Sequence, residues 1–487
     1  MSVHWPIIKR CVLEPTREAT VDDRGSRRGI EILVGALHLA EYLAPRAKSR
    51  TVGVMLPTGS AWPIAALAGW ILGKTVVPLN FLLKPDELQY VIGDSGVDTV
   101  VSAGPLLDFM GFTPRGCRVI KMEELTFSGM PEMRWPAAAA DDDLAVLLYT
   151  SGTSGRPKGV MLTHGNLSAN IRQTREYASF HRGDVMLGVL PQFHSFGMTV
   201  LTLLPLTMGL KAVYTARFVP GKILRLMREY RPTILVAIPS MYGALLQAKE
   251  AVADDFASLR FVVSGGEPLS DSVAERFYER FGVRINEGYG LTETSPVTNL
   301  CLPSEYRAHS VGRALPEIDQ RIVDTATGRS LPPHTDGEVW IKGPNVMRGY
   351  FGLTEETAKA LTPDGYLRTG DIGRFDDDGH LFITGRIKDM LIVGGENVFP
   401  REIEEVLDKH PSIQASGVIG VKDPIRGELP VAFVELREGA VFDRASVLSH
   451  CRAGLAGYKV PSEVRVLEKL PRNPTGKIMR RELRSML

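Results

Sequence analysis

Short apolar runs of strand length alternate with amphipathic helical patterns through the first two thirds of the chain. Leu144 to Tyr149 (LAVLLY), Val185 to Leu190 (VMLGVL), Ile234 to Ile238 (ILVAI) and Arg260 to Val263 (RFVV) carry the pattern of strands buried on both faces. Between the second and third, GKILRLMREY places Ile223, Leu224, Met227 and Tyr230 on one helical face. This alternation predicts α/β layers with substantial parallel sheet. After about residue 335 the turn-rich segments HTDGE, TPDGY and FDDDGH separate short strands such as Val339 to Lys342 and Leu381 to Thr384, predicting a small β-rich unit. From Arg386 onward the chain starts afresh with a strand (MLIV), a glycine turn and the helix PREIEEVLDKH. In that helix Pro400 suits the first turn, and Ile403, Val406 and Leu407 form an apolar stripe. A C-terminal α+β domain of about 100 residues follows from this pattern.

Composition narrows the class. A chain of 487 residues exceeds what one hydrophobic core supports, so at least two domains are expected. The formal net charge of +1 gives no global field for nucleic acid. Cys11, Cys117, Cys301 and Cys451 are scattered without CxxC spacing, which argues against a disulfide framework or thiolate zinc site and for a reducing, cytoplasmic setting. The opening MSVHWPIIKRCVLEP is too polar for a signal peptide. Val185 to Leu210 lacks Asp, Glu, Lys and Arg, but Pro191, Gln192, His194, Ser195 and Pro205 make it a strand, loop and core helix rather than a membrane span.

The segment Tyr149 to His164, YTSGTSGRPKGVMLTH, directly follows the LAVLL strand. Small residues with free amides, the hydroxyls of Thr150, Ser151, Thr153 and Ser154, the glycines Gly152 and Gly155, and the cation Lys158 suit a loop wrapping a polyphosphate. The spacing differs from a Walker A loop, because Gly159 follows the lysine. An ordinary flexible Gly/Ser loop is the bland alternative.

This segment resembles the phosphate loop of the adenylate-forming superfamily, which includes acyl-CoA synthetases, luciferases and peptide-synthetase adenylation domains. Further matches follow in the family's order: PQFHSFGM (Pro191 to Met198), SGGEPL (Ser264 to Leu269), NEGYGLTETSP (Asn286 to Pro296), YLRTGDIG (Tyr366 to Gly373), GRIKDMLIVGGENVFPREIE (Gly385 to Glu404) and PRNPTGKIMRREL (Pro471 to Leu483). Before about Val52 the match is poor. The resemblance implies an α/β fold: a large N-terminal domain (1–387) of α/β/α layers with a β-barrel-like subdomain, and a small mobile C-terminal α+β domain (388–487) hinged at Lys388.

The same resemblance assigns roles. Gly265, Gly266, Glu267 and Pro268 offer backbone groups to adenine, and Tyr289 a flat ring to stack on it; Asn286 and Gly290 belong to the same nucleotide motif. Thr292 supplies a phosphate-binding hydroxyl and Glu293 the one carboxylate that a magnesium ion needs beside phosphate and water. Asp371 suits the ribose hydroxyls, with Arg386 beside it. Lys477 matches the catalytic lysine between carboxylate and α-phosphate, where a fixed cation lowers the barrier for two approaching anions. Gly394, Gly395 and Glu396 lie in a loop that would enter for the thiol step, where glycines let backbone run beside a pantetheine arm. His194 falls where relatives place a His or aromatic beside the substrate carboxylate; a hydrogen-bonded core histidine is its bland reading.

Gly288 and the apolar run after His194 resemble fatty-acid ligases. FHSFGMT and VVPLNF (Val76 to Phe81) are also similar to the ligase half of bacterial acyl-carrier-protein synthetases. No histidine is followed five residues later by Asp, so only the ligase activity carries over. The expectation is an ATP- and Mg2+-dependent ligase for a medium or long fatty acid, with CoA or the phosphopantetheine of an acyl carrier protein as thiol. Alternatives are an acyl-AMP ligase loading only a carrier protein, a luciferase-type oxygenase and a non-catalytic nucleotide-binding regulator. No nucleic acid and no transmembrane span are expected; a peripheral membrane contact is compatible with an acyl substrate.

Overall fold

The computed structural model describes residues 2–151, 156–472 and 478–487, with Ser151 in backbone only. Two large mixed sheets form the body of the chain. In the nine-stranded sheet, Glu18–Asp22, Lys211–Tyr214, Val185–Gly188, Ile234–Ala237, Phe261–Ser264 and Asn286–Gly290 lie side by side, every neighbouring pair parallel. Antiparallel strands close both edges, Gly25–Arg28 on one side and Val297–Leu300 with Arg313–Ala314 on the other. The four residues of Ile234–Ala237 and of Phe261–Ser264 are all buried, as continuous apolar runs in a covered sheet require.

The seven-stranded sheet has the order Gly349–Tyr350, Pro157–Thr163, Leu144–Ser151, Thr75–Pro78, Thr51–Val54, Thr99–Ser102 and Arg118–Lys121. Its Leu144–Ser151 strand pairs parallel with Thr75–Pro78 on one side and antiparallel with Pro157–Thr163 on the other. One continuous apolar core joins both sheets and their helices. Within Val185 to Leu210 the chain forms a strand, a loop and then helix, but the helix begins with a π-helical stretch, Phe196–Leu203, before the α-helical turn Leu204–Met208. No helix among the described residues is long and apolar enough to cross a membrane.

The β-rich unit is a four-stranded antiparallel sheet, Asp319–Val323, Gly337–Lys342, Leu367–Phe375 and Leu381–Arg386. It packs its own cluster of Val311, Ile322, Val339, Ile341 and Leu381. The expected β-barrel-like subdomain is thus an open sheet: its outer strands Asp319–Val323 and Leu381–Arg386 do not pair with each other.

Beyond it, Leu391–Val393, Glu396–Val398, Ile413–Asp423, Gly427–Leu436 and Glu463–Leu467 form a five-stranded sheet. One face carries Leu391, Val398, Ile403, Leu407, Val418 and Val447; the other carries Ile419, Val431, Phe433, Leu470 and Leu483. The helix Pro400–Asp408 buries Ile403 and Leu407, while Val406 is half-buried. Because side chains alternate along its strands, the C-terminal domain has a core on each face of the sheet, both separate from the large one.

Candidate active site

The strands Leu144–Ser151 and Pro157–Thr163 form an antiparallel hairpin in which Thr150 faces Lys158 and Ser151 faces Pro157. This hairpin presents the expected phosphate loop; Gly152, Thr153, Ser154 and Gly155 lie outside the described residues. Lys158 donates to Glu356 Oε2 at 2.5 Å, and its ammonium stands 5.4 Å from the Tyr350 ring centroid. Charge pairing with Lys158 and Lys359 holds the Glu356 carboxyl down at about 2.

Tyr350 connects this cation to the expected metal ligand. Its strand, Gly349–Tyr350, pairs with Met161 and Val160, and its phenol donates to Glu293 Oε1 at 2.9 Å. Burial and the adjoining Glu293 carboxylate push the phenol well up, so it stays a donor. The Met347 amide donates to the Glu293 carbonyl at 2.8 Å, fixing the short 3₁₀ turn Thr292–Thr294. Tyr350 occupies one oxygen of Glu293. The other is a hard carboxylate oxygen of the kind that magnesium carried on phosphate takes.

Thr292 links the phosphate side to the acid side: its Oγ1 is 3.3 Å from Ser195 Oγ. The adjacent His194 has Nε2 buried with no hydrogen-bond partner among the described residues, and burial lowers its ring to about 4. At neutral pH the ring is an uncharged imidazole whose Nε2 is unpartnered among the described residues, an edge that a substrate carboxylate group could meet. Its ring lies 4.8 Å from Phe193, which meets Phe81 edge-on at 4.9 Å.

The nucleoside residues form one network. Tyr289 donates through its hydroxyl to Asp371 Oδ2 at 2.6 Å, and Arg386 Nε holds Asp371 Oδ1 at 2.6 Å. Asp371 and Arg386 are direct partners across adjacent strands, so the register itself sets this pair. Desolvation and the Asp371 carboxylate push the Tyr289 phenol well above its ordinary range. The turn Gly265–Gly266 needs its glycines: a Cβ on Gly265 would lie 2.9 Å from the Phe196 ring, and Gly266 has φ +82°. Gly290 crosses Pro296 so closely that a Cβ would sit 1.9 Å from its carbonyl oxygen. Glu267 is half-buried and Pro268 exposed on the same turn. Asn286 is buried in the sheet and donates to the Val262 carbonyl at 3.1 Å, so it braces the strand beneath the site.

Lys388 is exposed in the single 3₁₀ turn Ile387–Asp389, which joins the four-stranded and five-stranded sheets. Gly394 and Gly395, with φ +62° and +90°, form the two-residue turn between paired Val393 and Glu396, an exposed hairpin tip. Lys477 lies outside the described residues. The base of its segment is set by an antiparallel bridge between Arg472 and Ile478 and by Arg480, which grips Glu404 at 2.7 Å and the Val418 carbonyl.

Sequence reasoning missed Tyr350, Glu356, Ser195 and Arg480. Only Ser195 and Arg480 carried a signal, lying inside PQFHSFGM and PRNPTGKIMRREL; Tyr350 and Glu356 reach the site through a two-residue strand and the helical turn after it.

The family of AMP-binding enzymes matches residues 13–351, and its C-terminal domain matches residues 402–477. The match extends well before Val52, correcting the expectation of poor agreement there: Glu18–Asp22 is a strand of the nine-stranded sheet, so the N-terminal segment is built into the body. A long-chain-fatty-acid–CoA ligase of Bacillus subtilis (strain 168) is 33% identical over 93% of this chain and 89% of its own. A feruloyl-CoA synthase of an Amycolatopsis species is 35% identical over 85% of this chain and 84% of its own. The ATP-bound structure of MatB from Rhodopseudomonas palustris, 31% identical, covers 100% of this chain and 99% of its own with a TM-score of 0.91, against 0.82 for the apo form of MatB. The ordered motifs, the shared architecture and these matches together place the chain in the adenylate-forming superfamily: it belongs to the AMP-binding enzymes.

Proposed function

We propose that this protein is an ATP- and magnesium-dependent acid–thiol ligase that makes an acyl-adenylate and passes the acyl group to CoA. The observation that carries the reading is the continuous run of contacts from Lys158 through Tyr350 to Glu293, and from Thr292 through Ser195 to the loop of His194. It links a phosphate-binding cation, a hard carboxylate, a hydroxyl and a neutral imidazole in sequence. That order matches triphosphate, metal, α-phosphate and acid carboxylate.

In the first step a carboxylate oxygen bonds to the α-phosphorus as the bond to pyrophosphate breaks. Lys477 is the cation proposed to neutralise the two anions, and Asp371 with Arg386 the pair that orients the ribose. Glu293 would hold Mg2+, which supplies charge neutralisation at the phosphates when bound, and the Thr292 hydroxyl would bond the α-phosphate. His194 positions the carboxylate through Nε2, which has no partner among the described residues. In the second step a thiol attacks the acyl carbonyl and AMP leaves. The domain boundary is placed at 387/388, with Lys388 as hinge and the turn Val393 to Asn397 brought to the thiol. A cytoplasmic setting accords with the four cysteines, all of them free thiols.

The acid is proposed to be a medium or long fatty acid, supported by the fatty-acid–CoA ligase relative and the apolar run after His194. A compact aryl acid is the second reading, supported by the feruloyl-CoA synthase relative. Pyrophosphate release across fatty acids of graded chain length and aryl acids, with CoA and separately with acyl carrier protein, tests the reading. Activity confined to aryl acids overturns the fatty-acid assignment, activity only with carrier protein overturns CoA, and no acid-dependent release overturns the ligase.

A further inference from the structure

The helix Pro400–Asp408 has a second stripe opposite its apolar one. Arg401, Glu405 and Lys409 recur every four residues and so share one face at and just beyond the helix. That face meets the large N-terminal domain. Arg401 donates to the Ile383 carbonyl and is held by Glu405 at 2.7 Å. Lys409 Nζ reaches Asp271 Oδ2 at 2.6 Å, while the other oxygen of Asp271 takes His309 Nδ1 at 3.2 Å. Alongside, Arg437 Nη2 donates to Ser272 Oγ at 3.2 Å. Phe399 packs so tightly on Gly385 that a Cβ there would come within 2.5 Å of its ring.

Asp271 opens the helix Asp271–Phe281, whose N-cap is Ser270. A carboxylate at a helix N-terminus is favoured by the helix dipole, so Asp271 sits where an acidic residue suits its own helix and faces a cation from the small domain. Among the described contacts across this face, Lys409 to Asp271 is the one that joins two full charges on opposite units, and Lys409 is otherwise exposed. In this arrangement the glycine turn Gly394–Gly395 is an exposed hairpin tip, so the pair is made while the turn proposed for the thiol step stands in solvent.

We propose that Lys409 and Asp271 form a latch that holds the small domain in the adenylate-forming arrangement and opens before the thiol step, making both positioning residues for the first half-reaction. The inference rests on the two-step ligase reading above. An exposed ion pair contributes little to global stability, so its effect is on the balance between arrangements, a severalfold shift rather than a loss.

The test measures acid-dependent pyrophosphate release and, separately, thioester formation from supplied acyl-adenylate and CoA in the full chain. Lys409→Glu is expected to slow the first about 3- to 10-fold and leave the second unchanged or faster, while Lys409→Arg behaves as wild type. Equal slowing of both steps, or a loss in Lys409→Arg matching that in Lys409→Glu, overturns the latch. A second readout needs no turnover: energy transfer between dyes at Glu279→Cys and Ile425→Cys with ATP bound. Lys409→Glu should shift the population to a different distance, and an unchanged distribution refutes the latch. If wild type releases no pyrophosphate, the ligase reading falls, and the distance measurement still decides whether this pair sets the arrangement.

Discussion

Replacing Tyr350 by Phe removes one oxygen and keeps the ring. The hydroxyl lost is the donor at 2.9 Å to Glu293 Oε1, while the ring that lies 5.4 Å from the Lys158 ammonium stays in place. The two halves of the site should therefore separate. A hydrogen bond to a carboxylate contributes about 1.5–3 kcal/mol, and Glu293 is half-buried, so the lower end applies. Loss of a partner that orients a metal-binding carboxylate typically weakens the metal about 10-fold or more. Tyr350→Phe is expected to raise the magnesium needed for half-maximal pyrophosphate release about 10-fold. The KM for ATP at saturating magnesium should change less than about twofold, because the contacts of Lys158 with the ring and Glu356 remain. Tyr350→Ala should raise both. The assay is acid-dependent pyrophosphate release over a magnesium titration at fixed free ATP, with thermal unfolding recorded to confirm an intact fold. A folded Tyr350→Phe protein with a wild-type magnesium curve would refute the role of Tyr350 in orienting Glu293, and with it the assignment of Glu293.

Lys477→Ala should abolish adenylation by several powers of ten and spare thioester formation from supplied acyl-adenylate; equal loss in both would make Lys477 structural. Lys388→Pro should release pyrophosphate in a first turnover and then accumulate bound acyl-adenylate, and a folded variant making thioester at the normal rate would remove the hinge. Stability should also fall in acid. His4 and His164, with rings 5.5 Å apart and both buried, are lowered to about 4, for His4 by burial and then by His164, for His164 by burial. They titrate near 6.5 when unfolded, so the folded state binds fewer protons. The contribution is full above pH 6.5 and is lost as pH falls from 6.5 towards 4, at most about 3 kcal/mol for each ring. Urea unfolding at pH 7.5 and pH 5 measures it, and equal stabilities would show that these rings do not stay neutral.

The strands of the nine-stranded sheet were legible because a parallel strand covered on both faces must be apolar at every position; Ile234–Ala237 and Phe261–Ser264 fall within a residue or so of their expected bounds. The helix after His194 was legible as helix but not as π-helix, since its bonding pattern leaves no mark in apolar periodicity. Asp371 and Arg386 were each readable from a motif, yet their direct pairing follows from register, which side-chain alternation alone does not fix across a bulged pair. Tyr350 and Glu356 escaped entirely. They reach Glu293 and Lys158 because a two-residue strand from near residue 350 adds to the edge of a hairpin almost two hundred positions earlier in sequence. The latch face escaped likewise: Arg401, Glu405 and Lys409 read as an ordinary solvated stripe until the large domain is set against them.

Acid and ATP must combine into an acyl-adenylate before any thiol is consumed. A rapid-quench single turnover with enzyme in excess over labelled ATP, with and without acid, tests this directly. Pyrophosphate and enzyme-bound acyl-adenylate should appear in equal amounts, only when acid is present and before CoA is added, followed by AMP and thioester once CoA arrives. Release of ADP and orthophosphate, or thioester formed with no prior acyl-adenylate, would contradict it.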